Sequence, residues 1–382
     1  MQRKAFFSIG DKRITIATLI LVVFGSLMVA SAEMGNSAGD TTYLTSVIIR
    51  QVIYAIAGII AFFFLMNFKY YKMRMYLYWI GYFAILAALL ACRFFGQING
   101  AYAWIEIGGG ATIQPSEFAK VFMIAFGGKL LGNNKPEKNL QHFKTFAIAA
   151  FVYFVIIAFY QHDLGSAIVL FVICYVMAFI PGYPQLKKIQ MWMLVIMLLG
   201  LAGVAFLMSE PVTNFFKQHA DNYMVGRFLA AADPFLYQYD NGYHLIMSMV
   251  SFANGGLFGL GYGNSIHKYM NFPNPSNDFI LPVIVEEFGI VGFIFLLICY
   301  GFVLLPLLKG SINTNRMSSK IVLAGVFTYF AAHFILNVGG VSGIIPLTGV
   351  PLLMISSGGS SLVASMCALG IGQCELIRNK DL

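Results

Sequence analysis

Charge is what this sequence has least of. Asp, Glu, Lys and Arg make up only 10% of its 382 residues, against roughly 25% in an ordinary soluble chain. So few charged groups cannot cover a water-facing surface, which excludes soluble enzymes, disordered tails and nucleic-acid partners. Cysteine is scarce as well. Cys92, Cys174, Cys299, Cys367 and Cys374 fall in or at the ends of apolar stretches, so no disulfide framework is readable. The six histidines have no metal-ligand spacing, and neither a fixed-period repeat nor an inverted symmetry between the halves can be detected.

What remains is apolar. Hydrophobic residues reach 59% and the mean hydropathy is +0.77, which together specify an all-α integral membrane protein. A membrane-crossing helix needs about 20 mostly apolar residues. That rule predicts ten spans at 14–32, 46–66, 76–95, 116–132, 145–161, 164–181, 189–208, 279–307, 320–338 and 352–376, in one polytopic domain over residues 1–382. The first has the basic leader of a signal peptide, but its apolar run is longer than the roughly 7–15 residues of a signal core, so a retained helix is expected. Loop charge supports the topology. Of the 24 basic residues, 18 lie on one side: Arg3 to Arg13, Lys69 to Arg74, Lys129 to Lys144, Lys187 and Lys188, Lys309 to Lys320, and Arg378 with Lys380. By the positive-inside rule both termini are cytoplasmic. On the other side residues 209–278 form one long extracytoplasmic segment between the seventh and eighth spans. Such a length is usually functional. Its Gly-punctuated apolar stretch, Leu245 to Tyr262, reads as an interfacial or re-entrant element.

Ionisable groups at mid-membrane cost about 2.5–3.5 kcal/mol or more, so each asks for a reason. Glu117 and Lys120 lie three residues apart and share a helix face. They either lock two helices as a neutralised pair or line a polar cavity with Lys120 open to an anion; the two readings are compatible. Asp163 is expected to cap the sixth span. Asp278 opens the eighth, where a cap is again the plain reading. Glu286 and Glu287 follow about two turns later, and three acids at one mouth exceed what capping requires, pointing to catalysis or cation binding. Arg50, Arg93, Arg227 and Lys268 are cations on the face that otherwise avoids them. A phosphate-bearing partner would explain them; snorkelling suits Arg50 and Arg93 individually. Gly358-Gly359-Ser360-Ser361 is read as a helix-packing element.

Taken in order, four segments resemble the signatures of one family. Trp104-Ile105 with Gln114-Pro115-Ser116-Glu117 and Lys120 is the first. Gln161-His162-Asp163-Leu164-Gly165-Ser166-Ala167 is the second. Gly255 to Gly263 with Pro273 to Gly289 is the third, and Pro346 to Pro351 with Ile355 to Ser361 is the fourth. The chain resembles the SEDS family (shape, elongation, division and sporulation; FtsW, RodA and SpoVE), and the Gly263-Asn264-Ser265 run with Lys268 is more similar to the division type. His162 stands for the usual Pro, Ser166 for Thr, Asn274, Ser276 and Asn277 for Glu, His and Thr, and Leu353, Met354 and Ser357 for Pro, Phe and Tyr.

The resemblance implies a peptidoglycan glycosyltransferase that polymerises lipid II at the outer face of the bacterial cytoplasmic membrane and releases undecaprenyl pyrophosphate. It also implies a class B penicillin-binding protein as cross-linking partner, other divisome or elongasome membrane proteins, Asp278 as catalytic carboxylate, and Glu117 with Lys120 as the important ion pair. Gln114, Ser116, Asp163, Arg50, Arg227, Lys268, Glu286 and Glu287 complete the expected substrate-binding or cavity-lining set. The leaving pyrophosphate needs cations, from these side chains or from a divalent ion such as Mg or Mn. A lipid II flippase, a divisome scaffold and an elongation-type polymerase are the competing expectations.

Overall fold

The structure, a computed structural model, describes residues 10–37, 41–98, 100–108, 111–133, 138–207, 233–237, 241–270 and 275–380. Its helices are α1 (Lys12–Asn36), α2 (Thr41–Asn67), α3 (Met75–Ala91), α4 (Pro115–Leu131), α5 (Asn139–Val155), α6 (Leu164–Phe179), α7 (Lys187–Leu207), α8 (Asn241–Gly255), α9 (Ile280–Asn313), α10 (Met317–Val341) and α11 (Gly359–Lys380). Among the described residues, seven helical segments are long and apolar enough to cross a membrane. They are α1, α2, α3 extended to Phe95, α5 extended through a π turn to Tyr160, α9, α10 and α11. The expected spans 116–132, 164–181 and 189–208 coincide with α4, α6 and α7.

Local chemistry sets the starts. Asp11 Oδ1 accepts from the Arg13 amide at 2.9 Å and caps α1. Pro115 opens α4, where its missing N–H costs nothing. At the centre, α10 packs on α4, α6 and α9, while α11 packs on α2, α4 and α10; α9 in turn holds α1. The outward faces of α2 and α3 carry Ile53, Ile60, Phe64, Ile80 and Phe83, all exposed, the exterior that a lipid solvent requires of a membrane bundle.

Three features depart from the expected spans. The last helix starts at Gly359 rather than 352. The preceding apolar run is buried but non-helical, because Pro346, Pro351, Gly349 at φ 67° and Met354 at φ 63° interrupt it. Its backbone is satisfied from within: Ser356 Oγ accepts from Leu352 N at 2.9 Å, Tyr300 donates to the Leu353 carbonyl at 2.5 Å, and Asn337 donates to the Val350 carbonyl at 2.9 Å. Between α3 and α4 there is a two-stranded antiparallel hairpin, β1 (Ile105–Gly108) and β2 (Ala111–Ile113), with Ile105 opposite Ile113 and Glu106 opposite Thr112.

The Gly-punctuated stretch becomes the end of α8 and a loop sewn onto α9. At Gly289, φ 64° and ψ −162° break the α9 helix, a conformation open to glycine. The bonds the break releases are exchanged with the loop: Leu260 N donates to the Glu286 carbonyl at 2.9 Å, Gly261 N to the Glu287 carbonyl at 2.9 Å, and Ile290 N to the Gly256 carbonyl at 3.0 Å.

Candidate functional site

A cavity of about 1010 Å³ gathers the four signature segments. One wall is a stripe of α2: Tyr43, Val47, Arg50, Gln51 and Tyr54, whose spacing keeps them on one helix face. Gln114 and Glu117 come from the start of α4, and His162, Asp163 and Ser166 from the turn into α6. Asp278 comes from the turn before α9, and Thr348, Gly349 and Ser360 from the segment before and into α11. Of the residues expected from the sequence, Arg50, Gln114, Glu117, Asp163 and Asp278 therefore line one space.

Hydrogen bonds tie these segments together. Asp163 Oδ1 accepts from the Ser166 amide at 3.0 Å, the expected cap of α6, while Oδ2 accepts from Gln114 Nε2 at 2.8 Å. The Gln114 amide donates to Ser360 Oγ at 2.9 Å, and that hydroxyl donates to the Thr112 carbonyl at 3.2 Å. The Gly358–Ser361 run, expected only to pack helices, thus also bounds the cavity and pins β2. His162 sits at φ 61°. A proline is locked near φ −65° and could not adopt this geometry, so the departure at this position is conformational as well as chemical.

The N-cap position of α9 is held by Phe279 rather than by Asp278, where the plain reading puts it. The Asp278 carbonyl instead accepts from Asn337 Nδ2 at 2.9 Å. Its half-buried side chain lies against Gly349, with Oδ2 standing 3.6 Å from where a Cβ on that glycine would be.

The ion pair forms part of the cavity floor, with Glu117 lining it and Lys120 behind. Lys120 Nζ donates to Glu117 Oε1 at 2.7 Å, with side-chain exposures of 0% and 1%. Tyr329 donates to Glu117 Oε2 at 3.1 Å. His333 Nδ1 lies 3.1 Å from the Pro351 carbonyl. A carbonyl only accepts, so Nδ1 carries the proton and Nε2 is left to accept from Lys120 Nζ at 3.3 Å. Lys120 is thus committed to Glu117 and His333 and does not line the cavity, the neutralised-pair arrangement of the two expected. Ser116 Oγ is buried and has no hydrogen-bond partner among the described residues.

Three expected members lie elsewhere, which corrects the idea of one acid cluster. Glu286 contacts His267 Nδ1 at 2.6 Å and accepts from Ser265 Oγ at 2.5 Å. Glu287 accepts from Lys268 Nζ at 2.8 Å and from Ser31 Oγ at 2.6 Å. Neither acid is among the cavity-lining groups. Lys268, wholly paired and 1% exposed, is no free cation for a phosphate. The first two turns of α9, Ile280 to Glu286, carry Glu286 about 9 Å along the axis away from the turn that holds Asp278, where the 265–268 segment supplies its partners. Arg227 lies outside the described residues. The sequence reading missed Glu33, Tyr43 and Gln51, which line the same cavity; for Glu33 the available signal was an acid just past the end of the first span.

A divalent ion would take oxygen donors here. Among the described residues no three His, Cys, Asp or Glu groups converge to hold one. Of the cavity-facing carboxylates, Glu33, Glu117 and Asp163 are each taken up by donors of the chain itself, so a Mg or Mn ion there would be held by one or two protein oxygens at most, with substrate phosphate oxygens completing the shell.

The family model described as "Cell cycle protein" (FTSW_RODA_SPOVE) matches residues 12–374. The chain is 32% identical over 372 residues to stage V sporulation protein E of Bacillus subtilis (strain 168), covering 94% of this chain and 95% of that one. It is 30% identical over 368 residues to the probable peptidoglycan glycosyltransferase FtsW of the same organism, covering 94% and 89%. Among solved structures, a chain described under "Structural coordination of polymerization and crosslinking by a peptidoglycan synthase complex" superposes with a TM-score of 0.73 at 25% identity, covering 97% of this chain and 98% of that one. The rod shape determining protein RodA of Thermus thermophilus shares the fold, with a TM-score of 0.64 at 23% identity and coverage of 97% and 98%. A match over residues 12–374, on a bundle whose four signature segments meet at one cavity, means that this chain belongs to the FtsW/RodA/SpoVE (SEDS) family of multi-pass membrane proteins.

Proposed function

We propose that this chain is a peptidoglycan glycosyltransferase that polymerises lipid II at the outer face of the bacterial cytoplasmic membrane and releases undecaprenyl pyrophosphate. Ten membrane-spanning helices with both termini cytoplasmic, folded as one domain over residues 1–382, put the cavity on the outer side. The relatives named for peptidoglycan glycosyltransferase activity support the reaction. The observation that carries the reading is the convergence on one cavity of Asp278, Arg50 and Asp163, from three distant parts of the chain.

The chemistry asks little of the protein beyond position. The anomeric carbon of the donor already bears pyrophosphate, a good leaving group. One carboxylate acting as base on the acceptor 4-hydroxyl is enough, whereas glycosidases use two. Asp278 takes that role: it is half-buried, faces the cavity, and is held through its own backbone carbonyl by Asn337. A single displacement inverts the α-linked donor to a β-1,4 bond. Arg50, on the α2 wall, is the cation placed to meet the pyrophosphate charge. A divalent ion, where bound, adds Lewis-acid neutralisation of that charge.

A class B penicillin-binding protein is the cross-linking partner, a reading supported by the structural neighbour from a synthase complex that coordinates polymerization and crosslinking. Relatives named FtsW and SpoVE at 30% and 32% identity, beside a RodA at 28%, favour a septum-type over an elongation-type setting. The test is to incubate the purified protein with lipid II and a divalent cation, with and without that partner, beside Asp278→Asn. A glycan ladder from the wild type, and none from a variant that still folds, is expected. No ladder with any partner or metal would overturn the polymerase reading in favour of flipping or scaffolding, and an active variant would remove Asp278 from its role.

A further inference from the structure

Glu33 lies one residue past the expected first span, on the last turns of α1. It is 7% exposed and lines the cavity. Both its oxygens are engaged: Oε1 accepts from Ser276 Oγ at 2.5 Å, and Oε2 accepts from Tyr43 Oη at 3.0 Å and Asn36 Nδ2 at 3.1 Å. Two of these donors reach the elements that bear the proposed chemistry. Ser276 stands two residues before Asp278. Tyr43 begins the α2 stripe that carries Arg50 two turns later.

The turn at 275–279 is clamped by its backbone from one side. Ser357 N donates to the Ser276 carbonyl at 2.7 Å, Ser356 Oγ to the Asn277 carbonyl at 2.7 Å, and Asn337 Nδ2 to the Asp278 carbonyl at 2.9 Å. Glu33 pulls on the same turn through a side chain from α1. That end of α1 is itself fixed. A Cβ on Gly35 would collide with the Lys268 carbonyl, and Ser31 donates to Glu287 at 2.6 Å. A carboxylate taking three donors in a buried site makes strong, directional bonds. With its lone pairs so used, it works on its neighbours rather than on a sugar.

We propose that Glu33 is a positioning residue of the transfer site: through Ser276 it sets the reach of the Asp278 carboxylate into the cavity, and through Tyr43 it fixes the Arg50 wall. The inference rests on the polymerase reading above. A base shifted by about 1 Å from its productive position costs on the order of a hundredfold in rate.

The test measures kcat and KM for lipid II with the full-length protein and its transpeptidase partner. It compares wild type, Glu33→Gln, Glu33→Asp, Ser276→Ala and the Glu33→Gln/Ser276→Ala double variant, with a melting curve for each. Glu33→Gln and Ser276→Ala are expected to lower kcat by about tenfold to a hundredfold, with KM within about threefold of wild type and melting lowered by a few degrees, with the cooperative transition kept. The double variant should lose no more than the worse single one, because both act through one hydrogen bond. Glu33→Asp, which keeps the charge, should recover part of the rate. Wild-type kcat in Glu33→Gln, multiplying losses in the double variant, or a kcat loss seen only where melting collapses would each overturn the inference. A wild type that makes no glycan would overturn the polymerase reading instead, so the two failures are distinguishable.

Discussion

Replacing Lys120 by Met tests the floor of the cavity. The wild-type ammonium sits 2.7 Å from Glu117 Oε1 and 3.3 Å from His333 Nε2, with no exposure. After Lys120→Met, Glu117 keeps the Tyr329 Oη donor at 3.1 Å, and its buried charge has lost its cation. Removing one partner of such a pair costs about 3–5 kcal/mol. Adding Glu117→Gln to Lys120→Met removes the stranded charge and leaves an amide that still meets Tyr329, so stability should return to within about 1 kcal/mol of wild type. Relative to Lys120→Met alone the double variant thus recovers roughly 2–4 kcal/mol, and because Glu117→Gln alone strands the Lys120 ammonium, the favourable coupling between the two substitutions exceeds that recovery. Activity should not follow. Glu117 itself faces the cavity, and kcat of the double variant should stay at least about tenfold down because a fixed charge has left the site. Denaturant unfolding in mixed micelles reads the first quantity, and glycan synthesis from lipid II the second. Strictly additive losses, or a Lys120→Met cost below about 1 kcal/mol, would refute the buried-pair reasoning. Full activity in the double variant would make the pair a scaffold alone.

Two further outcomes are expected. Gly349→Ala forces an L-residue to φ 67°, at about 1–2 kcal/mol. The new methyl meets Asp278 Oδ2 at an ordinary 3.6 Å, so the loss of stability and kcat comes from the backbone, and wild-type melting and kcat would contradict it. Asp11→Ala removes the α1 cap at about 1 kcal/mol. The hydrogen bond from Arg13 holds the Asp11 carboxyl below the usual carboxylate range. The cap's stabilisation is therefore complete above the unfolded value and lost as pH falls through the lower folded one. The gap in unfolding free energy between wild type and variant should be flat from about pH 6 to about pH 9 and close only in acid; narrowing near neutrality would disprove it.

What could be read from the chain, and what could not, separates by the distance over which a group finds its partner. Glu117 with Lys120 and Asp163 with Ser166 meet three residues apart. Helical spacing alone exposes such pairs, because a turn of backbone fixes which side chains are neighbours. Apolar length likewise placed the long helices, since lipid sets it. Glu33 and Ser276 are 243 residues apart, and Ser31 and Glu287 are 256 apart; no local period encodes either contact. Glu286 and Glu287 part from Asp278 for the same reason. Their nearness in sequence to Asp278 suggested one cluster, whereas their partners, His267 and Lys268, arrive on a loop held by backbone bonds to the break at Gly289. The hairpin before α4 has strands of only four and three residues, too short to carry an alternating pattern, and the non-helical run from Pro346 to Ser357 has backbone bonds closed by groups outside it, such as Asn337 and Tyr300. The consequence is physical. The groups that bear on chemistry are visible as isolated charges in apolar surroundings, but the groups that aim them, Glu33 and Ser276 for Asp278, belong to contacts that exist only once α1, α2 and the α9 turn have closed around the cavity.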